Sequence, residues 1–342
     1  MTTPELPRDA AHLRELPAVS VILTVVNESR HLAEAISSVL SSEYPGALEV
    51  IVAVGPSRDN TREIADRIAT TDSRVRIIEN PSGRTPDGLN AALRNARFDY
   101  VVRIDGHSQI DRLYIRRAIE ILTSTDAVNV GGVMAAEGIT TFERAVARAM
   151  RSPIGVGASR FHTGGTAGSV DTVYLGVFKK SAVLAVGGYD TRFSRAQDWE
   201  LNHRLRENGG TIWFDPELRV TYRPRNSIAK LARQYFEYGR WRRAVARQHS
   251  GTTNFRYLAP PVNLVLQSLS ILLGLLLAPI FFIPIIGYVV AIFLASIALG
   301  KSVGERFTLP IVLIVMHFSW GFGFISSDRK STRLNSSHVK RS

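Results

Sequence analysis

Cysteine is absent from all 342 residues, which excludes disulfides, thiolate metal sites and a cysteine nucleophile. A metal would have to be held by carboxylates, imidazoles or backbone oxygens. A secretory leader is not expected either: the opening MTTPELPRDAAHLRELP is polar and lacks an apolar core, so the domain that follows is expected to stay where it is made. Charge is missing from Tyr257 to Gly300, a run about twice the ~20 residues a membrane helix needs. Pro279 and Pro284 divide that run, predicting two spans with the bend in LAPIFFIPIIG. A third span is predicted from Phe307 to Ser327, where His317 is the one titratable group. Acids are scarce just upstream, where Arg219 to Arg256 holds ten Lys or Arg and a single acid, Glu237.

What is present gives these absences a meaning. The net charge is +12, but its densest part adjoins the apolar spans, which points to a membrane surface and not to nucleic acid. The same asymmetry predicts a cytoplasmic N-terminal domain in a multi-pass protein of the cell membrane, with the KSVGER loop returning to that side. With 45% hydrophobic and 8% aromatic residues, a sizeable core is expected. The chain divides into a polar extension (1–17), a catalytic domain (18–226), a basic amphipathic region (227–256), two to three membrane helices (257–327) and a tail (328–342). The tail, DRKSTRLNSSHVKRS, has no periodicity. Its 328–338 stretch is similar to an in-frame translation of a sequencing adapter, so it is set apart as non-native.

Strands and helices alternate through the first half. VSVILTVV (19–26), LEVIVAV (48–54), VRIIEN (75–80) and YVVRID (100–105) are continuous β-rich runs. Helices are predicted between them, with Asn27 and then Ser57 or Asp59 as N-caps, and with Thr85 and Pro86 opening the third. Strands apolar on both faces imply a mainly parallel sheet flanked by helices. Ligands of such sheets bind at the carboxyl ends of the strands, where Asn27, Glu28, Ser57, Asp59 and the Asp105–Gly106–His107 turn all fall.

Three stretches carry candidate chemistry. Asp105 and His107 suit a divalent cation on a diphosphate, with Gly106 leaving clearance; Asp-Gly is also an ordinary turn dipeptide. Asp198 opens a helix with Leu201 and Leu205 facing inward, and suits either an N-cap or a general base. Trp199 beside it suits a wall for a sugar ring or a buried structural role. SIAKLARQYFEYGRWRRAVARQH (227–249) is an aromatic, arginine-rich amphipathic helix that suits the membrane interface or packing on the domain.

At VSVILTVVNE, GPSRDNT, GRTPDGLNAALRNA, VRIDGHS, VDTVYLGVFKK, GGYDTRF, QDWELNHRLRENGG and QYFEYGRWR the chain resembles a family 2 glycosyltransferase. Within that family it is similar to the exopolysaccharide branch typified by succinoglycan glucosyltransferases. The resemblance implies an α/β GT-A nucleotide-diphospho-sugar transferase fold followed by transmembrane helices. It implies inverting transfer of a hexose such as glucose from a nucleotide sugar, a UDP-sugar first of all, to a lipid-linked saccharide, with Mn2+ or Mg2+. It places Asn27, Glu28 and Asp59 around the nucleoside, Asp105 and His107 at the metal, and Asp198 as the base. Gln234, Arg240 and Trp241 resemble a Gln-X-X-Arg-Trp element on the donor. The departures are Val54–Gly55 for the usual Asp pair, His107 for a second carboxylate and Gln197 for Glu before the base. The altered motifs also suit a non-catalytic sugar-nucleotide or polysaccharide-binding protein of the same fold.

Overall fold

A computed structural model describes residues 16–253 and 255–327; most of the N-terminal extension and the 328–342 tail lie outside the described residues. Its first half is a run of strand–helix units: β1 (Val19–Val25), α1 (Leu32–Leu40), β2 (Leu48–Val54), α2 (Thr61–Thr71), β3 (Val75–Glu79), α3 (Thr85–Asn95) and β4 (Tyr100–Arg103). There follow β5 (Gln109–Ile110), α4 (Tyr114–Ser124), β6 (Ala127–Ala136), α5 (Thr141–Met150), α6 (Pro153–Val156), α7 (Arg160–Thr163), β7 (Gly168–Ser169), β8 (Tyr174–Lys179), α8 (Lys180–Ala185), α9 (Gln197–Glu207) and β9 (Thr211–Tyr222). The C-terminal part is helical: α10 (Ile228–Gln248), α11 (Phe255–Leu276), a short 3-10 turn (Pro279–Phe282), α12 (Ile283–Leu299) and α13 (Val303–Ser326).

One sheet runs in the order β3-β2-β1-β4-β8-β6-β9-β5, with β7 also on β9. The four sequence-predicted strands, β1 to β4, are all parallel. Beyond them the sheet is mixed, since β8 runs against both β4 and β6, and β5 and β7 run against β9. Both faces of β1 are covered. Val19, Val21, Leu23 and Val25 join the core under α1 and α4, while Ile22 joins a second core with α3 and α9, which is why the strand reads as unbroken apolar sequence.

Three expected helix starts differ. Neither Ser57 nor Asp59 caps α2; Asn60 holds that place, with no side-chain cap bond, because the Asp59 carboxylate is taken up by the neighbouring loop and Thr61. Asn27 is not an N-cap: it takes a left-handed φ of 56°, and α1 begins later, behind His31. The intervening turn lets Asn27 bond the neighbouring loop, as described below. Asp198 does not cap α9 either; Ala196 holds that place in the left-handed region, with no side-chain cap bond.

A third core belongs to domain and tail jointly. Met134 and Ala136 of β6, Val146 and Met150 of α5, Leu231 and Tyr235 of α10 and Leu309, Leu313 and Met316 of α13 are buried together. Both ends of α13 are tied to the domain. Near its start, buried Glu305 pairs with Arg144 and Arg148 of α5 at 3.2 and 3.6 Å; at its end, Arg247 of α10 donates to the Ser327 carbonyl at 2.7 Å. The helix Phe255–Leu276, the segment Pro279–Leu299 and the helix Val303–Ser326 are each long and apolar enough to cross a membrane. The first two are the less buried, with Leu275, Leu276, Leu277, Ile280 and Ile283 exposed around their junction.

Candidate active site

The crevice lies at the carboxyl ends of β1, β2 and β4. Three cross-links join the first two loops: Asn27 N–H donates to Ser57 Oγ at 3.0 Å, Arg58 N–H to Asn27 Oδ1 at 2.8 Å, and Ser29 N–H to Asp59 Oδ2 at 3.1 Å. Asp59 Oδ1 also accepts from the Thr61 hydroxyl at 2.5 Å. Those bonds, the Thr61 hydroxyl first, hold the Asp59 carboxyl down at about 2. Asp59 is thus a brace between loops, with both oxygens engaged.

The third loop carries Asp105, Gly106 and His107. A Cβ on Gly106 would sit 2.7 Å from Val25 Cγ1 and 3.3 Å from Glu28 Cγ. The room expected above Gly106 for a ligand is therefore filled by protein, and the glycine serves to seat this turn on β1. Glu28 turns the same way: its Oε1 lies 2.9 Å from His107 Nδ1. Burial pulls the His107 pKa down, but Glu28 and Asp105 outweigh it and the net shift is upward.

Arg103 organises the centre. It is 2% exposed at the end of β4, and its guanidinium reaches Asp105 Oδ1 at 3.0 Å. Its other terminal nitrogen contacts Asp198 Oδ1 from the start of α9. Burial pushes the Asp105 pKa up, but Arg103 and then His107 outweigh it, leaving that carboxyl below its ordinary value. The two carboxylates that the sequence singles out for different roles, 93 positions apart in numbering, therefore share one buried cation.

Arg103 had no role in the sequence reading. Its signal was a basic residue inside the apolar run YVVRI, two positions before Asp105 and hence on the same side of an extended chain. The α10 candidates divide. Trp241 is buried against Phe193 and lines the same cavity as Asp105 and Asp198. Gln234 and Arg240 are not among its lining residues: the Gln234 amide donates to the Tyr222 and Tyr238 hydroxyls at 2.9 and 2.6 Å, and Arg240 pairs with Glu237 at 2.8 Å.

Among the described residues no group of three or more His, Asp or Glu is arranged to hold a metal. A cation on a diphosphate needs only one or two protein ligands, the phosphates and water supplying the rest. Asp105, with one oxygen on Arg103, and His107, oriented by a carboxylate at Nδ1, fit that smaller requirement.

A mixed sheet with parallel β1 to β4, flanked by helices and with acidic side chains gathered at the strands' carboxyl ends, is the arrangement of a GT-A-type glycosyltransferase fold, as the comparisons with known proteins show. A solved structure of similar fold is the mannosyltransferase PcManGT from Pyrobaculum calidifontis in complex with GDP-Man and Mn2+. It superposes with a TM-score of 0.57 at 20% identity, over 88% of this chain and 86% of that one. The sequence profile described as Glycosyl transferase family 2 matches residues 20–187. The succinoglycan biosynthesis protein ExoA of Rhizobium meliloti (strain 1021) is 32% identical over 313 residues, 89% of this chain and 93% of its own length. The chain belongs to glycosyltransferase family 2. Another relative, from Methanococcus voltae, is 24% identical over 90% of this chain and 95% of its own; its name is dolichyl N-acetyl-alpha-D-glucosaminyl phosphate 3-beta-D-2,3-diacetamido-2,3-dideoxy-beta-D-glucuronosyltransferase.

Proposed function

We propose that this protein is a membrane-bound inverting glycosyltransferase that moves a hexose from a nucleoside diphosphate to a lipid-linked saccharide in exopolysaccharide or envelope glycan synthesis. The observation that carries the reading is the Arg103 bridge, which sets Asp198 and Asp105 in one cavity whose far wall is made by α11, α12 and α13. The names of the R. meliloti and M. voltae relatives, one a succinoglycan biosynthesis protein and the other acting on a dolichyl-linked sugar phosphate, support the pathway and the acceptor class.

In this reading the acceptor hydroxyl attacks the anomeric carbon, its proton passes to Asp198, and the bond from that carbon to the diphosphate oxygen breaks with inversion. Arg103 holds the Asp198 carboxylate toward the crevice. Asp105, with His107 beside it, would hold a divalent cation, Mn2+ or Mg2+, which when bound offsets the charge of the departing diphosphate. Asn27 and Asp59 keep the nucleoside-side loops together, and Trp241 closes the cavity wall.

A transfer assay on membranes tests this, using UDP- and GDP-hexoses with added Mn2+, Mg2+ or chelator and reading label in the lipid extract. Transfer is expected with one donor and loss with chelator. Asp198→Asn is expected to lower transfer by about 10²- to 10⁴-fold with nucleotide binding retained. Loss of both together would remove Asp198 as the base, and nucleotide binding without turnover in the native chain would return the non-catalytic reading.

A further inference from the structure

The cavity that begins at Asp105 and Asp198 has a volume of about 760 Å³ and continues past Trp199 and Trp241 to Tyr257, Tyr288 and Trp320 of the C-terminal helices. Two arginines stand between its ends. Arg242 of α10 is 4% exposed, and its guanidinium lies 3.9 Å from the centre of the Trp199 ring and 3.6 Å from that of Tyr257. It donates to the Thr252 carbonyl, but its Nε and Nη1 have no hydrogen-bond partner, and it forms no ion pair among the described residues. Arg256, at the start of α11, pairs with Asp171 and the Tyr257 hydroxyl and leaves its own Nε without a partner.

Burial is the main cause that brings Arg242 down to about 10 and, with Arg256 nearby, brings His162 down to about 3, so that this ring is neutral at physiological pH. Trp199 Nε1 and Trp320 Nε1 also lack partners. Beyond the Arg103–Asp198 contact, the unpartnered buried atoms along this path are donors, save the His162 ring nitrogen. Leaving donors of a buried cation unmade is costly. A ligand with several anionic oxygens removes that cost, and arginine forks match phosphate oxygens.

Position decides which phosphate. Trp199 follows Asp198 in sequence and packs on the Arg242 guanidinium, Tyr257 packs on the same guanidinium, and Tyr257 lies parallel to Trp320 of α13, 6.5 Å between ring centres. The order along the cavity is thus base, arginines, apolar helices. We propose that Arg242 and Arg256 bind the phosphate or diphosphate joining the acceptor saccharide to its lipid, with the sugar toward Asp198 and the hydrocarbon along α11 and α13. This assignment rests on the acceptor class proposed above.

The test uses the full chain purified in detergent, with binding measured for a long-chain polyprenyl diphosphate, the unphosphorylated polyprenol, inorganic diphosphate, and UDP or GDP with Mn2+. The polyprenyl diphosphate is expected to bind and the polyprenol not to compete. Arg242→Gln and Arg256→Gln are each expected to weaken the lipid by on the order of 10- to 100-fold, the loss of charge-assisted hydrogen bonds, with nucleotide affinity held within about threefold. Should Arg242→Gln lose its unfolding transition, Arg256→Gln and Arg242→Lys carry the test. Unchanged lipid affinity in the folded variants overturns the site, and a parallel loss of nucleotide assigns the arginines to the donor instead. Inorganic diphosphate competing as well as the lipid makes this a free-anion site and overturns the lipid assignment. A native chain that binds the lipid but neither nucleotide nor sugar donor overturns the glycosyltransferase reading and leaves this site standing; sugar transfer with unchanged lipid binding in both variants overturns this site alone.

Discussion

At the residue scale the informative side chain is Arg103. Asp105 was legible in the sequence because a carboxylate at a strand tip stands out against an apolar run, and Asp198 because it opens a helix at a position that resembles the family's base. Their meeting was not, since nothing local says that the β4 end and the α9 start touch. Arg103 looks like a misplaced charge in a buried strand until the fold supplies two carboxylates for it. Arg103→Met leaves those carboxylates facing each other without a cation. The expected loss is about 2 to 3 kcal/mol, below the ~3 to 5 of a fully buried pair because Asp105 and Asp198 keep 24% and 26% exposure. Denaturant unfolding of the purified chain checks this, and adding Asp198→Asn to Arg103→Met should restore part of the loss by removing one unpaired charge. A double variant less stable than Arg103→Met contradicts the bridge. His107 illustrates the opposite limit: its place beside Asp105 was evident, but its partner Glu28 lies 79 positions away and only folding joins them.

At the element scale, α10 has a pattern that suits either a membrane surface or the domain, and packing settles much of its contact. Leu231, Tyr235, Trp241 and Val245 are buried, and α10 crosses α13 at two glycines. A Cβ on Gly239 would lie 2.1 Å from the Trp320 carbonyl oxygen, and one on Gly323 would lie 2.0 Å from that of Phe236. The backbones approach closely because neither residue has a side chain at the crossing. Gly239→Val is therefore expected to destabilise by about 1 to 3 kcal/mol through overpacking and to lower transfer, since Trp241 and Arg242 ride on the same helix. Gly287, inside α12 and with nothing within 4 Å of an added Cβ, is the comparison, and Gly287→Ala, which clashes with nothing and favours the helix, should not lower the unfolding midpoint. Thermal unfolding of both variants in detergent decides. Amphipathic periodicity made α10 legible; its partner was not, because the 3.6-residue pattern reports that a face is covered and not by what.

At the scale of the whole molecule, charge and hydropathy marked the C-terminal helices plainly, but not how they sit on the domain. Both ends of α13 are tied to α5 and α10, and Leu309, Val312, Leu313 and Met316 are fully buried, each worth roughly 1.5 to 3 kcal/mol when taken from water. A helix held that way is expected to keep both ends on one side of a bilayer, with the α11–α12 hairpin as the part that enters. The absence of cysteine makes this testable: Lys301→Cys and Ser326→Cys should both react with an impermeant maleimide from the cytoplasmic side, and Leu277→Cys at the hairpin tip should not. Labelling of residues 301 and 326 from opposite sides would place α13 across the membrane. The sequence by itself determined the strand–helix alternation, the carboxylates at strand and helix ends and the apolar tail, because periodicity, residue chemistry and hydropathy are local properties. Tertiary structure alone decided that Arg103 joins Asp105 to Asp198, that Gly106 packs on β1, and that a cavity leads past Arg242 to the apolar helices. Those are facts about which distant surfaces share one space, and a linear pattern records only that each surface has a partner.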